Sequence, residues 1–356
     1  MINIVIVGYG GMGHYHSTRI KTLPGYRLCG IFDIDPERVR LAVGDGIRAY
    51  ASKEEIASDG SVNAVLIATP NDTHGEYAEY FAAAGKHIIC EKPASMTHEA
   101  FDAMAAAADR SGVKLAVHQN RRCDSDYLTA FSVIDGGKLG RVYRIDSRVM
   151  GANGIPGGWR KKKRRGGGMM LDWGVHLIDQ ICYAGFTAPK TVNCRYSHAL
   201  GFEVDDGFEL TMLFDASEEQ KNRYFPEVEI NLEVNTNAFI KLPRWTVFGE
   251  KGTLTLDDFE TGGRMTVYMR TDELLLAEQR GNGLTKTMAA RPESGVRSIA
   301  VENLASDYNR FYTAFRESVE NNAELFVKPG EVGRVIRIME TAAASAKKGR
   351  TIKFKD

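Results

Sequence analysis

The sequence predicts an α/β protein in two parts. A doubly wound parallel sheet should occupy residues 1–122, and a larger α+β domain with an open, mostly antiparallel sheet should occupy 123–356. Three observations carry this. A β-branched run, Ile2 to Val7, stops at a glycine-rich turn and passes into a helical stretch. Short apolar runs then alternate with helical segments as far as residue 122, the rhythm of βαβ units. Beyond that point two-residue alternation dominates, as in strands with one covered face.

The first turn reads Gly8-Tyr9-Gly10-Gly11-Met12-Gly13, with a helix continuing to Leu23. Gly8 permits the tight turn, Gly10 lets a pyrophosphate approach the backbone, and Gly13 lets helix and strand pack closely, so Gly8, Gly10, Gly11, Met12 and Gly13 are the expected phosphate-binding set of a Rossmann domain. The fingerprint alone is weak, but here it follows a strand and opens a helix, as the motif requires. The next strand, Leu28 to Phe32, ends at Asp33, about 20 residues beyond Gly13, the offset at which an acidic residue meets the adenosine ribose. Its charge would repel a 2′-phosphate and Ile34 offers no compensating cation, so NAD is expected over NADP. Asp33 also suits a turn before Asp35-Pro36, an N-cap followed by proline at the first helical position.

Ser52-Lys53-Glu54-Glu55 has capping-box spacing. The strand Ala64 to Ile67 runs into Ala68-Thr69-Pro70-Asn71-Asp72-Thr73-His74, from which Thr69, Pro70, Asn71 and His74 are expected at the cofactor edge, while Asn71, Asp72 and Thr73 equally suit a helix cap. His87 to Cys90 leads to Glu91-Lys92-Pro93. Proline cannot continue the ladder, so Glu91 and Lys92 fall at the carboxyl end of a strand, where open parallel sheets bind ligands. Thr97 caps a helix to Arg110, and Lys114 to Val117 is the last strand of the first domain, followed by His118, Asn120 and Arg122.

In the second domain, Asp126 to Ile134 reads as a helix, Arg141 to Val149 as a strand, and 151–168 as a loop of glycine, proline and basic residues. Strands follow at 192–197, 208–214, 227–234, 246–248, 252–256 and 266–269, then a long loop at 281–297, helices at 303–320 and 330–347, and a strand at 351–354. Gly166-Gly167-Gly168 opens a helix on which Asp172 and His176, four apart, share a face. The glycines would admit a ligand to the backbone, and the carboxylate would fix the imidazole and raise its basicity.

The chain has Lys+Arg 46 against Asp+Glu 46, so no global field draws it to nucleic acid or an anionic membrane. Its five cysteines show no CxxC spacing, which points to reduced thiols, no metal knuckle and, with no basic leader before Ile2, a cytoplasmic protein.

GYGGMG with His16, ATPNDTH, CEKP, and GGGxxxDxGxH over Gly166 to His176 together resemble the GFO/IDH/MocA oxidoreductases, over nearly the whole chain. The resemblance implies NAD(P) in an interdomain cleft and oxidation of a sugar, cyclitol or sugar acid. By matching motif positions Lys92, Asp172 and His176 would be catalytic; apart from the resemblance, Asn120 and Arg122 after the last strand of the first domain, and Trp159 and Arg160 in the loop at 151–168, are the further residues expected around the substrate. An NAD-dependent glycosidase and a non-catalytic nucleotide and sugar sensor are the alternatives. A homo-oligomer, dimer or tetramer, would form through the open face of the second sheet. Six consecutive cations, Arg160 to Arg165, lie outside the family pattern and make an anionic substrate an expectation.

Overall fold

The computed structural model describes residues 1–269 and 295–355. Strands β1 (Ile2–Val7), β2 (Tyr26–Phe32), β3 (Ala64–Ile67), β4 (His87–Cys90) and β5 (Leu115–Val117) form a sheet of order β2-β1-β3-β4-β5. Every pairing is parallel. An isolated parallel bridge, Ile31 to Ala49, lies beyond β2. Counted as a vestigial strand, it completes the 3-2-1-4-5-6 order of a dinucleotide-binding sheet, whose order reverses beside β1. The strands read as continuous apolar runs because both faces are covered, with Ala64 to Ile67 wholly buried. Helices α1 (Gly11–Ile20), α2 (Pro36–Gly44), α3 (Lys53–Ser58), α4 (His74–Ala83) and α5 (His98–Arg110) make the crossovers. Asp35, Ser52 and Thr97 cap α2, α3 and α5 through their side chains.

After α6 (Ser125–Asp135), the second domain is built on a nine-stranded sheet. In chain order its strands are β6 (Val142–Met150), β7 (Thr191–Ser197), β8 (Gly207–Asp215), β9 (Tyr224–Asn235), β10 (Trp245–Gly249), β11 (Gly252–Leu256), β12 (Gly263–Tyr268), β13 (Val296–Val301) and β14 (Ile352–Lys353). Only β6 and β9 pair in parallel; the other pairings are antiparallel. One face buries Val192, Leu210, Ile230 and Leu254 under a layer of helices, α6, α7 (Val175–Tyr183) and α9 (Pro329–Lys348), with α6 over β10 and β11 and α9 over β7. The other carries Arg144, Asp146, Arg148, Glu229 and Glu233, joined by ion pairs.

The chain does not divide cleanly at residue 122. Phe311, Tyr312 and Phe315 of α8 (Asn309–Asn321) are buried in the first domain's core. Helix α9 serves both cores, giving Val332 and Ile336 to the first and Val335, Ile338, Met339 and Ala342 to the second. These helices bind the domains together and so set the geometry of the cleft. Most of the loop expected at 281–297 lies outside the described residues, and its end, from Val296, is strand β13.

Candidate active site

At the carboxyl ends of β1, β3 and β4 the two domains enclose a cavity of about 610 Å³. Gly8, Gly10, Gly11 and Met12 line it from the first turn, Asp33 from the end of β2, Thr69, Pro70, Asn71 and His74 from the turn after β3, and Glu91 and Lys92 from the end of β4. The second domain closes it with Trp159, Arg160 and Asp172.

The glycines divide by task. Gly8 has φ +93°, and a Cβ there would meet the Ala68 carbonyl at 2.8 Å. A Cβ on Gly13 would lie 2.0 Å from the Gly8 carbonyl oxygen, so Gly13 is needed for packing and does not line the cavity. Gly10 and Gly11 have nothing within 4 Å of an added Cβ, and they open α1 toward the cavity. Free backbone at a helix N-terminus is what a pyrophosphate requires, so these residues fit a dinucleotide. Asp33 accepts hydrogen bonds from the Tyr9 and Asp35 amides at 2.6 and 2.9 Å, which fix its carboxylate at this end of the cavity.

At the opposite end, Lys92 Nζ donates to the Asp172 carbonyl at 2.9 Å and to Oδ1 at 3.0 Å. Arg160 reaches Asp172 Oδ2 at 3.5 Å. Burial works to raise the Asp172 pKa, but the charges of Lys92 and Arg160 outweigh it and keep the carboxyl ionised. Beneath Lys92, Glu91 is buried between two imidazoles. Being ionised, it accepts from His16 Nε2 and His118 Nδ1, both at 2.8 Å, and Tyr312 of α8 completes the chain at His16 Nδ1, 2.7 Å away. Burial opposes the charge on Glu91, yet the histidines hold its pKa well below the ordinary value. Its second oxygen accepts the Lys92 amide at 3.1 Å, so the cluster fixes the backbone from which Lys92 projects. The donor atoms of His16, Glu91 and His118 lie within 4.8 Å of one another, but these hydrogen bonds already engage them.

His176 departs from expectation. Asp172 sits in a π-helical turn, Met170–Gly174, ahead of α7, outside the regular α-helical series in which residues four apart stack. Its carboxylate is engaged by Lys92 and Arg160, and it does not orient the imidazole. His176 is 5% exposed, lies behind the cavity lining edge-on to Trp173, and has no hydrogen-bond partner for Nδ1 among the described residues. Burial first, then Lys92 and Arg121, hold its pKa well below 6.5, so it is less basic than a free imidazole, not more.

Three further expectations are corrected. Arg122 does not reach the cavity: it is fully buried, bidentate to Asp179 at 2.7 and 2.8 Å and paired with Glu331 at 2.7 Å. Asn120 lies in a 3-10 turn outside the lining. The glycines before the helix admit protein rather than ligand. An added Cβ would lie 2.9 Å from Asn71 Cβ at Gly166, 2.2 Å from the Arg160 carbonyl at Gly167, and 2.2 Å from Asp205 Oδ1 at Gly168.

The basic run is a folded cover. Arg160 stacks on Trp159, Lys161 lies over Phe202, the Lys163 amide donates to Glu203, and Arg165 pairs with Asp72 across the cleft at 3.0 Å. Asn71 adds a second clasp, donating to the Gly166 carbonyl at 2.8 Å. Sequence reasoning missed Arg38, Tyr77 and Arg165 in the lining. Arg38 had a legible signal, since it stands just inside the helix that Asp35 caps.

Residues 2–119 match a family model described as oxidoreductase family, NAD-binding Rossmann fold, and 127–255 match the C-terminal domain of the same family. A scyllo-inositol 2-dehydrogenase (NADP(+)) of Bacillus subtilis is 28% identical, covering 99% of this chain and 95% of its own. An inositol 2-dehydrogenase of Rhizobium meliloti is 31% identical over 56% of this chain and 60% of its own. A solved NAD-binding protein from Listeria innocua is 39% identical, covers 99% of both chains and superimposes with a TM-score of 0.90.

Proposed function

The chain belongs to the GFO/IDH/MocA oxidoreductase family, with its NAD-binding Rossmann domain, and from that premise we propose that it oxidises a secondary alcohol of a cyclitol, sugar or sugar acid with NAD. The observation that carries the proposal is the meeting of Lys92 and Asp172 at the end of the cavity remote from Asp33, with His176 behind them. NAD, when bound, supplies the hydride acceptor. Gly10 and Gly11 hold its phosphates and Asp33 its adenosine ribose. Lys92, with two N–H groups on Asp172, has a third for the substrate hydroxyl, and its charge stabilises the oxygen as negative charge develops. His176, neutral through its burial and the nearby cations, takes the hydroxyl proton. Asp172 holds Lys92 in place through its carbonyl and its carboxylate.

Two cations, Lys92 and Arg160, share the single Asp172 carboxylate, which supports a sugar acid as readily as a neutral cyclitol. The named inositol dehydrogenases among the relatives support the cyclitol arm. The charged outer face of the second sheet is the proposed surface for a homodimer or tetramer, and the five unpaired cysteines support a cytoplasmic setting. The test is a panel of inositols, aldoses, polyols, uronates and aryl glycosides of those sugars with NAD and NADP, followed by reduced cofactor and, for the glycosides, separately by release of the aglycone. Oxidation of a panel member supports the reading; aglycone release without net reduction would replace it with glycosidase chemistry.

A further inference from the structure

The helix that presents Asp172 and His176 begins at Met170, and a carboxylate from a distant loop closes its first turn. Asp205, just before β8, accepts the Met170 amide at 2.7 Å through Oδ2, while its carbonyl accepts the Met169 amide at 3.1 Å. Gly168, at φ +106°, has no side chain where Asp205 Oδ1 needs the space. Asp205 is only 7% exposed.

We propose that Asp205 is a positioning residue for the reaction, its ionised carboxylate fixing the turn from which Asp172 meets Lys92 and on which His176 follows. The inference rests on the dehydrogenase reading of that helix. An anion suits the place, because the amides at a helix start carry partial positive charge and a charged acceptor binds them more strongly than a neutral one. The ionised form is nonetheless held near its limit. Burial raises the Asp205 pKa to about 6, against the pull of the Met170, Met169 and Asp205 amides. The neighbouring groups do little to offset this. Cys194 and Tyr196 of β7 are both pushed toward their neutral forms by burial, Asp206 turns to the Leu200 amide, and His198, bonded to the Val204 carbonyl, is the neighbouring base whose charge favours ionisation. As pH falls through about 6, Asp205 gains a proton, the bond to Met170 weakens and the turn loosens. The phosphate and ribose contacts assigned to Gly10, Gly11 and Asp33, at the start of α1 and just past the end of β2, are untouched.

The test is hydrogen–deuterium exchange of peptides spanning Met170 to His176 in the full chain saturated with NAD, between pH 5 and 8, corrected for the intrinsic exchange rate. Wild type, Asp205→Asn and Asp205→Ala are compared. Wild-type protection should fall about 5-fold as pH drops through 6, the Asn variant should show a flat profile, and the Ala variant should be poorly protected throughout. Equal pH profiles in wild type and Asn, or full protection in Ala, would overturn the proposal. With an oxidised panel substrate, Asp205→Asn should lower kcat at unchanged KM for NAD and lose the acid limb near pH 6. Should no panel member be oxidised, the dehydrogenase reading fails while the exchange data still decide the role of Asp205.

Discussion

Replacing Lys92 by methionine separates the catalytic from the structural part of the Lys92–Asp172 pair. Both side chains are largely buried, at 14% and 16% exposure, so the substitution leaves a carboxylate with one of its two cations gone. Breaking a buried pair costs about 3–5 kcal/mol when no other partner is present. Arg160, 3.5 Å from the other Asp172 oxygen, remains as a partner and brings that cost below this range, to about 2 kcal/mol. The catalytic loss is larger in rate. Withdrawing a charge that faces a developing oxyanion lowers turnover by about 100- to 1,000-fold. Adding Asp172→Leu to Lys92→Met removes the stranded carboxylate, so thermal unfolding should recover while turnover does not. Steady-state kinetics on the panel substrate and differential scanning fluorimetry of the three proteins make the comparison. Turnover of Lys92→Met within about threefold of wild type, or recovery of turnover in the double variant, would refute the reasoning.

The remaining expectations concern three other positions. His176→Ala should lower turnover by about 100-fold or more while isothermal titration finds the NAD affinity unchanged; a parent rate would move the base elsewhere. Since the folded His176 pKa lies well below 6.5, the folded protein resists a proton that the unfolded chain takes up, so His176 costs stability as pH falls below about 6.5, and pH-dependent unfolding should lose that component in His176→Ala. Asp33→Ala should cut kcat/KM for NAD by about 10-fold and improve the NADP to NAD ratio, Arg38 standing in the same end of the cavity. An unchanged ratio would deny Asp33 its role in cofactor choice. Arg122→Met strands Asp179 and Glu331 and should cost about 3–5 kcal/mol in urea unfolding. Its folded fraction should retain the parent KM, because Arg122 lies outside the cavity.

The first domain was legible because its cues are local. A β-branched run, a glycine turn and a proline after Lys92 each place a strand end without reference to the rest of the chain. The second domain was legible only as a set of alternating runs, and β13 went unread, its first two residues falling in the expected loop at 281–297 and the rest given no element. The active site failed where sequence distance stood in for geometry. The expected Asp172 to His176 contact assumes a regular α-helix, and a π turn intervenes. Arg122 read as a substrate contact because it ends the first domain, whereas its fate depends on Asp179 and Glu331, brought to it by α7 and α9. The glycine triplet read as ligand space because the residues that fill it, Asn71 and Asp205, arrive from far along the chain. The basic run read only as a pointer to an anionic substrate, because the partners of Arg160, Lys161 and Arg165, namely Asp172, Phe202 and Asp72, lie elsewhere in the chain.

Deuterium transfer tests the central claim most directly. A panel alcohol carrying deuterium on the carbinol carbon, incubated with the protein and NAD, should give reduced cofactor containing one deuterium per ketone formed, at a rate that collapses in both Lys92→Met and His176→Ala. Reduced cofactor without deuterium, or substrate turnover with no net reduction of NAD, would contradict the account.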